Sequence, residues 1–102
     1  LGAANTLHAK GWLAIQAREP AAAHENLGAA LQIYAERGDR YSRIITLQPL
    51  AVLLAAQGRM KEALAALDEA ERLAREIDDP IRLEQCQRLR EHIQAQGTEG
   101  QA

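Results

Sequence analysis

The chain has no phenylalanine, one tryptophan and two tyrosines in 102 residues, so its core cannot rest on aromatic packing. One valine, at position 52, leaves too few β-branched and aromatic residues to build a sheet. Cys86 stands alone, which excludes an internal disulfide and fits a reducing, cytoplasmic setting. Neither sign of charge dominates: 12 Lys and Arg face 14 Asp and Glu, interspersed, for a net −2. That balance creates no steering field, so nucleic acid and anionic membrane surfaces are not expected as direct partners. The longest wholly apolar run is residues 50–56, far short of the ~20 a membrane helix needs. No basic-then-apolar leader opens the sequence.

What is abundant is alanine and leucine, 21 and 14 residues respectively. Both are strong helix formers, and together they predict an all-α domain of many small interlocking contacts. Apolar residues recur at three- and four-residue steps in five segments. The expected helices are about 3–17, 20–37, 40–57, 60–77 and 80–95, within one domain over 2–96, followed by a flexible polar tail over 97–102. Their stripes are Leu7, Gly11, Ala14 and Ile15; Ala23, Leu27, Ala30, Leu31 and Tyr34; Ile44, Leu47, Leu50, Ala51 and Leu54; Ala63, Leu67, Ala70 and Leu73; and Leu83, Cys86, Leu89 and Ile93. Pro20 and Pro80 suit the first turn of a helix, Gly38 and Gly58 its end, and Asp39 and Asp79 its N-cap. Pro49 is out of place within the third segment, where a helix-interior proline costs ~3 kcal/mol, so a kink or a late helix start within 44–49 is expected. Asp68 with Arg72, and Glu71 with Arg75, are predicted as solvated i,i+4 pairs on the fourth helix. The fifth helix carries one apolar stripe under a polar back, the pattern of a helix that caps an array.

The segments repeat. A shift of forty residues carries Ala23, Leu27 and Ala30 onto Ala63, Leu67 and Ala70, and Leu7, Gly11 and Ala14 onto Leu47, Ala51 and Leu54. A period of this size predicts stacked helix pairs. The second copy resembles a tetratricopeptide (TPR) unit: Leu47, Leu50, Ala51 and Leu54 follow that family's first-helix spacing, Gly58 its turn, and Ala63, Leu67 and Ala70 its second helix. The first copy departs from the pattern at Lys10 and Arg18, and the period exceeds the family's common thirty-four. The resemblance implies a right-handed superhelical array of antiparallel helix pairs, about two and a half repeats in five helices. Long, alanine-rich units with Gly-Asp or Asp-Asp between pairs are similar to those of MalT-like, LuxR-type bacterial transcriptional regulators.

That resemblance also implies a non-catalytic scaffold that presents a concave face to a peptide, a partner helix or a neighbouring domain. Transferred onto this sequence, the family's groove positions are Asn5, His8, Trp12 and Gln16, then Gln48, Val52 and Ala55, then Glu84, Gln87, Arg88 and Glu91. Trp12 is the sharpest of these, since an indole in a groove is a frequent anchor, with packing on an adjacent helix as the competing role. For Arg88, an ion pair with Glu84 competes with partner binding. Self-association through Leu1, Leu7, Trp12 and Ile15 is the alternative within the same class, and a small helical enzyme or ligand-binding bundle the alternative outside it. The sequence does not favour the latter. His8, His24 and His92 lack the spacing of a metal site, Cys86 fills a stripe position, and no glycine loop would cradle phosphate. No cofactor is expected.

Overall fold

The computed structural model describes the backbone of residues 2–101 and the side chains of residues 2–97. The described chain is all-helical: α1 Gly2–Gln16, α2 Pro20–Glu36, α3 Arg40–Ala56, α4 Met60–Glu76 and α5 Pro80–Gln101. From α3 onward, each helix begins twenty residues after the one before it.

One local device produces this spacing. Residues 18, 38, 58 and 78 all have positive φ, at 59°, 68°, 77° and 56°. After each, the next N–H reaches back to a carbonyl five residues earlier: Glu19 to Ala14, Asp39 to Tyr34, Arg59 to Leu54 and Asp79 to Ala74, at 2.8–2.9 Å. Those bonds close a Schellman turn, which satisfies the last carbonyls of one helix. The residue that donates this bond also precedes the first residue of the next helix. Asp39 accepts the Ser42 N–H at 3.0 Å and Asp79 the Arg82 N–H at 3.1 Å, so two of the four junctions add a side-chain cap. Pro20 opens α2 and Pro80 opens α5, where a missing N–H costs nothing.

Two expectations are corrected here. The third helix does not start late: it is continuous from Arg40 to Ala56 through Pro49. Asp39 fixes its first turn before the proline is reached, accepting both the Ser42 N–H and its hydroxyl. The Ile45 carbonyl that loses its donor lies on a half-buried side of the helix. The second correction concerns the tail expected over 97–102: α5 runs on to Gln101, and Ala102 lies outside the described residues. Gly97 lies within the helix rather than ending it, and a Cβ there would come within 2.8 Å of the flexible Met60 Cε.

The heaviest packing joins α1 to α2 and α3 to α4; α2 with α3 and α4 with α5 follow. Alternate helices behave differently on the two sides. α3 touches both α1 and α5, whereas α2 and α4 have no Cα atoms within 8 Å of each other. The largest core cluster joins Ile44, Leu47 and Ala51 of α3, Leu67, Ala70 and Leu73 of α4, and Cys86 and Ile93 of α5. Two smaller clusters hold the first pair, around Ala4, Ala30 and Tyr34 and around Ala14, Ala23 and Leu53. Gly11 sits where α1 meets Leu27 of α2, and a Cβ at 11 would lie 2.7 Å from that side chain. Its counterpart in the second pair, Ala51, is fully buried with its Cβ accommodated.

The ion pairs also differ from expectation. Asp68 pairs with Arg90 of α5 rather than with Arg72, which bonds to Glu76 at 2.7 Å. Glu71 is not on a wet face: it is 7% exposed, and its main partner is again Arg90, whose Nε donates to it at 2.9 Å. The expected i,i+4 pair of Glu71 with Arg75 does form, at 4.0 Å. Bonding to Glu71 and Asp68 holds the Arg90 guanidinium above its ordinary range. Arg90 thus clamps α5 onto α4 from the α5 side. On α3, Arg43 bonds to Glu69 and Arg40 stands 3.6 Å from Glu76, tying the start of α3 to the end of α4.

Arg18 is the least favourable of the four turn residues, since a β-carbon in the left-handed region costs roughly 1–2 kcal/mol. Arg18→Gly should therefore raise the denaturant midpoint by about 0.5–1 kcal/mol of stability at unchanged m-value, part of the relief being offset by the freer unfolded chain.

Candidate functional site

The helices α1, α3 and α5 form one side of the fold, and the forty-residue period places their residues in rows. Asn5, Ile45 and Gln85 share a row, as do His8, Gln48 and Arg88; Trp12, Val52 and His92; and Gln16, Ala56 and Gln96. In α3 the buried Ile44, Leu47 and Ala51 face α4, Thr46 and Leu53 face the first helix pair, and Leu50 packs on both. Ile45, Val52 and Ala56 are left on the remaining side. Trp12 is 50% exposed and Val52 43%, at matching positions one repeat apart. Exposed apolar side chains at equivalent sites are not required for packing either helix pair.

Not every expected site residue falls in these rows. Gln87 and Glu91 are exposed, but they correspond to Leu47 and Ala51, which α4 covers. They lie instead on the side of α5 that has no following helix among the described residues. Glu84 belongs to the same side and forms an exposed ion pair with Arg88 at 2.6 Å. Gln48 is half-buried: its amide reaches Gln85 Oε1 at 3.4 Å and Cys86 Sγ at 3.5 Å, bridging α3 to α5. Cys86 itself is fully buried, and burial pushes its thiol above the ordinary range. Ala55 is half-buried beside α5, and Gln16 is exposed.

Val52 lines two clefts. One, of about 350 Å³, runs between the ends of α1 and α3 and is walled by Ile15, Pro20, Val52, Leu53 and Ala56 with Arg18 and Glu19 at its rim. The other, of about 240 Å³, lies between α3 and α5 and is bounded by Val52, Ala55, Met60, His92, Ile93 and Gln96. The first lies against Ile15, on the helix that carries Trp12. His92, Gln85 and Gln96 were missed as groove candidates, yet the same forty-residue shift that aligns the cores puts them in register with Val52, Ile45 and Ala56.

Asn5 and His8 are held by a network the sequence did not announce. The buried Tyr34 hydroxyl of α2 donates to Asn5 Oδ1 at 2.8 Å. Burial, aided by the Asp39 charge and opposed by Arg37, raises the Tyr34 hydroxyl above its ordinary range. Thr46, with no exposed surface, donates its one hydroxyl proton to the Ser42 carbonyl at 2.8 Å. With that proton on the carbonyl, its oxygen accepts from His8 Nδ1, 2.8 Å away. A neutral His8 then carries its proton on Nδ1 and leaves Nε2 as an acceptor. Asn5, His8, Tyr34, Ser42 and Ile45 line a third cleft of about 260 Å³. Among the described residues, no group of three or more His, Cys, Asp or Glu is placed to hold a metal ion. No helix there is long and apolar enough to cross a membrane.

No family model matches the chain, and neither a curated protein nor a solved structure matches it.

Burial lowers the His8 pKa below 6.5, so the fold favours the neutral ring. The unfolded chain then binds more protons than the folded one below pH 6.5, and His8's contribution to stability, complete above that pH, is lost as pH falls through 6.5 toward the folded pKa. Between about pH 7.5 and about pH 5.5 the wild type should lose more stability than His8→Phe, which carries no titrating ring. Paired denaturant titrations at the two pH values measure this, and equal losses would contradict it.

Proposed function

We propose that the chain is a non-catalytic protein–protein interaction scaffold, a TPR-like module that binds a peptide, a helix or a neighbouring domain on the side formed by α1, α3 and α5. The observation that carries this is the pair Trp12 and Val52, exposed at equivalent positions, with Val52 lining two apolar clefts. Contact of α3 with α1 and α5, against separation of α2 from α4, supports a concave surface on the same side. In this reading the array is a right-handed superhelix of about two and a half repeats. Its long period and the Gly38-Asp39 and Asp78-Asp79 junctions favour a place in a larger bacterial regulator or signalling protein of the MalT-like kind. Binding would come from burying apolar area around an indole anchor, with the helices as a stiff frame.

A library of displayed random peptides selected on the intact chain tests this surface. Selected binders should weaken at least about tenfold, 1.4 kcal/mol, on Trp12→Ala or Val52→Glu. They should be unchanged by Gln32→Ala on the exposed side of α2. Binders indifferent to the first two substitutions would remove the groove from consideration.

A second reading, self-association, is favoured by Leu13. Its counterparts one and two repeats on, Leu53 and Ile93, are 6% and 2% exposed, whereas Leu13 is 61% exposed. Leu13 therefore presents an uncovered apolar position on α1, while the expected contributors Leu7 and Ile15 are half-buried within the fold and Leu1 lies outside the described residues. Covering a leucine of this kind is worth at most about 1.5–3 kcal/mol, too little alone for a stable dimer. Sedimentation velocity should show association that rises with concentration and is abolished by Leu13→Lys if this face pairs; a concentration-independent monomer would sink the reading.

A further inference from the structure

We propose that the cleft between the first halves of α1 and α3, lined by Asn5, His8, Tyr34, Ser42 and Ile45, is a binding subsite for a neutral primary carboxamide, the group carried by glutamine and asparagine side chains. Every polar hydrogen whose partner can be assigned in its wall is already committed within the fold. The Tyr34 hydroxyl donates to Asn5 Oδ1, the Ser42 hydroxyl to Asp39 Oδ2 at 2.7 Å, and the Thr46 hydroxyl to the Ser42 carbonyl, which in turn sets the His8 Nδ1–H on Thr46. What the wall still offers is therefore fixed. His8 Nε2, on the ring edge away from buried Thr46, is a lone-pair acceptor, and the oxygens of Ser42 and Tyr34 retain acceptor capacity. The Asn5 amide, with its oxygen held by Tyr34, offers its two N–H donors.

A carboxamide satisfies both sets at once: its oxygen accepts from Asn5 Nδ2 and its NH2 donates to His8 Nε2. A carboxylate has no hydrogen to give His8 and would face the three acceptors with negative charge. The Asp39 charge that raises the Tyr34 hydroxyl reaches the same cleft and adds to that exclusion. An ammonium could donate to the acceptors, but it would confront the Asn5 donors and leave them without an acceptor. Leaving such groups unpaired is what makes a polar site selective. The subsite shares Asn5 and His8 with the groove proposed above and rests on that reading only for the origin of the amide, a side chain of a docked partner.

Propionamide, propionate and propylammonium, each titrated into the intact chain, test the assignment by long-range ¹H–¹⁵N spectra of the His8 ring. Propionamide should produce a saturable shift of Nε2 with Nδ1 remaining protonated, and the other two should bind at least about tenfold more weakly. Asn5→Ala and His8→Phe should each abolish propionamide binding, read for the latter at the Tyr34 and Ile45 signals; Trp12→Ala should leave it intact. Absence of a saturable shift with propionamide, an equal response to propionate or propylammonium, or binding that survives both Asn5→Ala and His8→Phe would overturn the proposal. Peptides that bind through Trp12 while propionamide does not would overturn the amide subsite and leave the groove standing.

Discussion

The structure depends on a three-residue junction that ends one helix and begins the next. At 18, 38, 58 and 78 the chain turns through the left-handed region, and the residue after each turn both closes the finished helix and precedes the new one. So short a link leaves consecutive helices little freedom but to pack antiparallel. Alternation of direction then brings α3 against both α1 and α5, while α2 and α4 stay apart. Two glycines meet the backbone demand directly, and Asp78 is among the few residue types that tolerate it. Arg18 does not, so the turn there is held by the packing on either side, where Ala14 and Ala23 are buried together with Leu53.

Much of this was legible because one physical signal, apolar period, coincided with another, turn chemistry. The number and type of helices followed from stripes such as Leu47, Ala51 and Leu54 set between Asp39 and Gly58. What was illegible had a different origin in each case. Pro49 and Gly97 read as interruptions, yet both lie inside continuous helices: α3 is capped at Asp39 and runs through the proline, and α5 continues past the glycine beside Met60. Glu71 reads as a surface residue from its i,i+4 partner, and only a contact nineteen residues away in α5 makes it buried. Pairings between helices leave no periodic trace.

The site divides in the same way. Trp12 and Val52 could be found from register alone, and so could His92, which the transferred family positions passed over in favour of Gln87 and Glu91. Residues on α5 that look alike in a list of polar side chains belong to two different surfaces, because no helix among the described residues covers α5 as α4 covers α3. Thr46 and Tyr34, by contrast, had no sequence signal as site residues. Tyr34 reads as part of an apolar stripe and Thr46 as a neutral helix position. Their importance comes from hydroxyl groups buried against α1.

That burial links the packing to the chemistry the surface can offer. A fully buried hydroxyl must spend its proton locally, and Thr46 does so on the carbonyl four residues back in its own helix. Its remaining capacity is as an acceptor, which sets the tautomer of His8 across the interface between the two repeats. Tyr34 does the same for the orientation of the Asn5 amide from the second helix of the first pair. Two side chains that would be free rotors on an isolated helix are thus pre-set by neighbouring helices before any partner arrives, which lowers the ordering cost of binding. In the Trp12 and Val52 row no such polar constraint exists, and recognition there would be governed by shape and apolar area. The two halves of the α1, α3 and α5 side therefore differ in kind: the end near Asn5 can select a hydrogen-bond pattern, and the end near Val52 can supply area to bury.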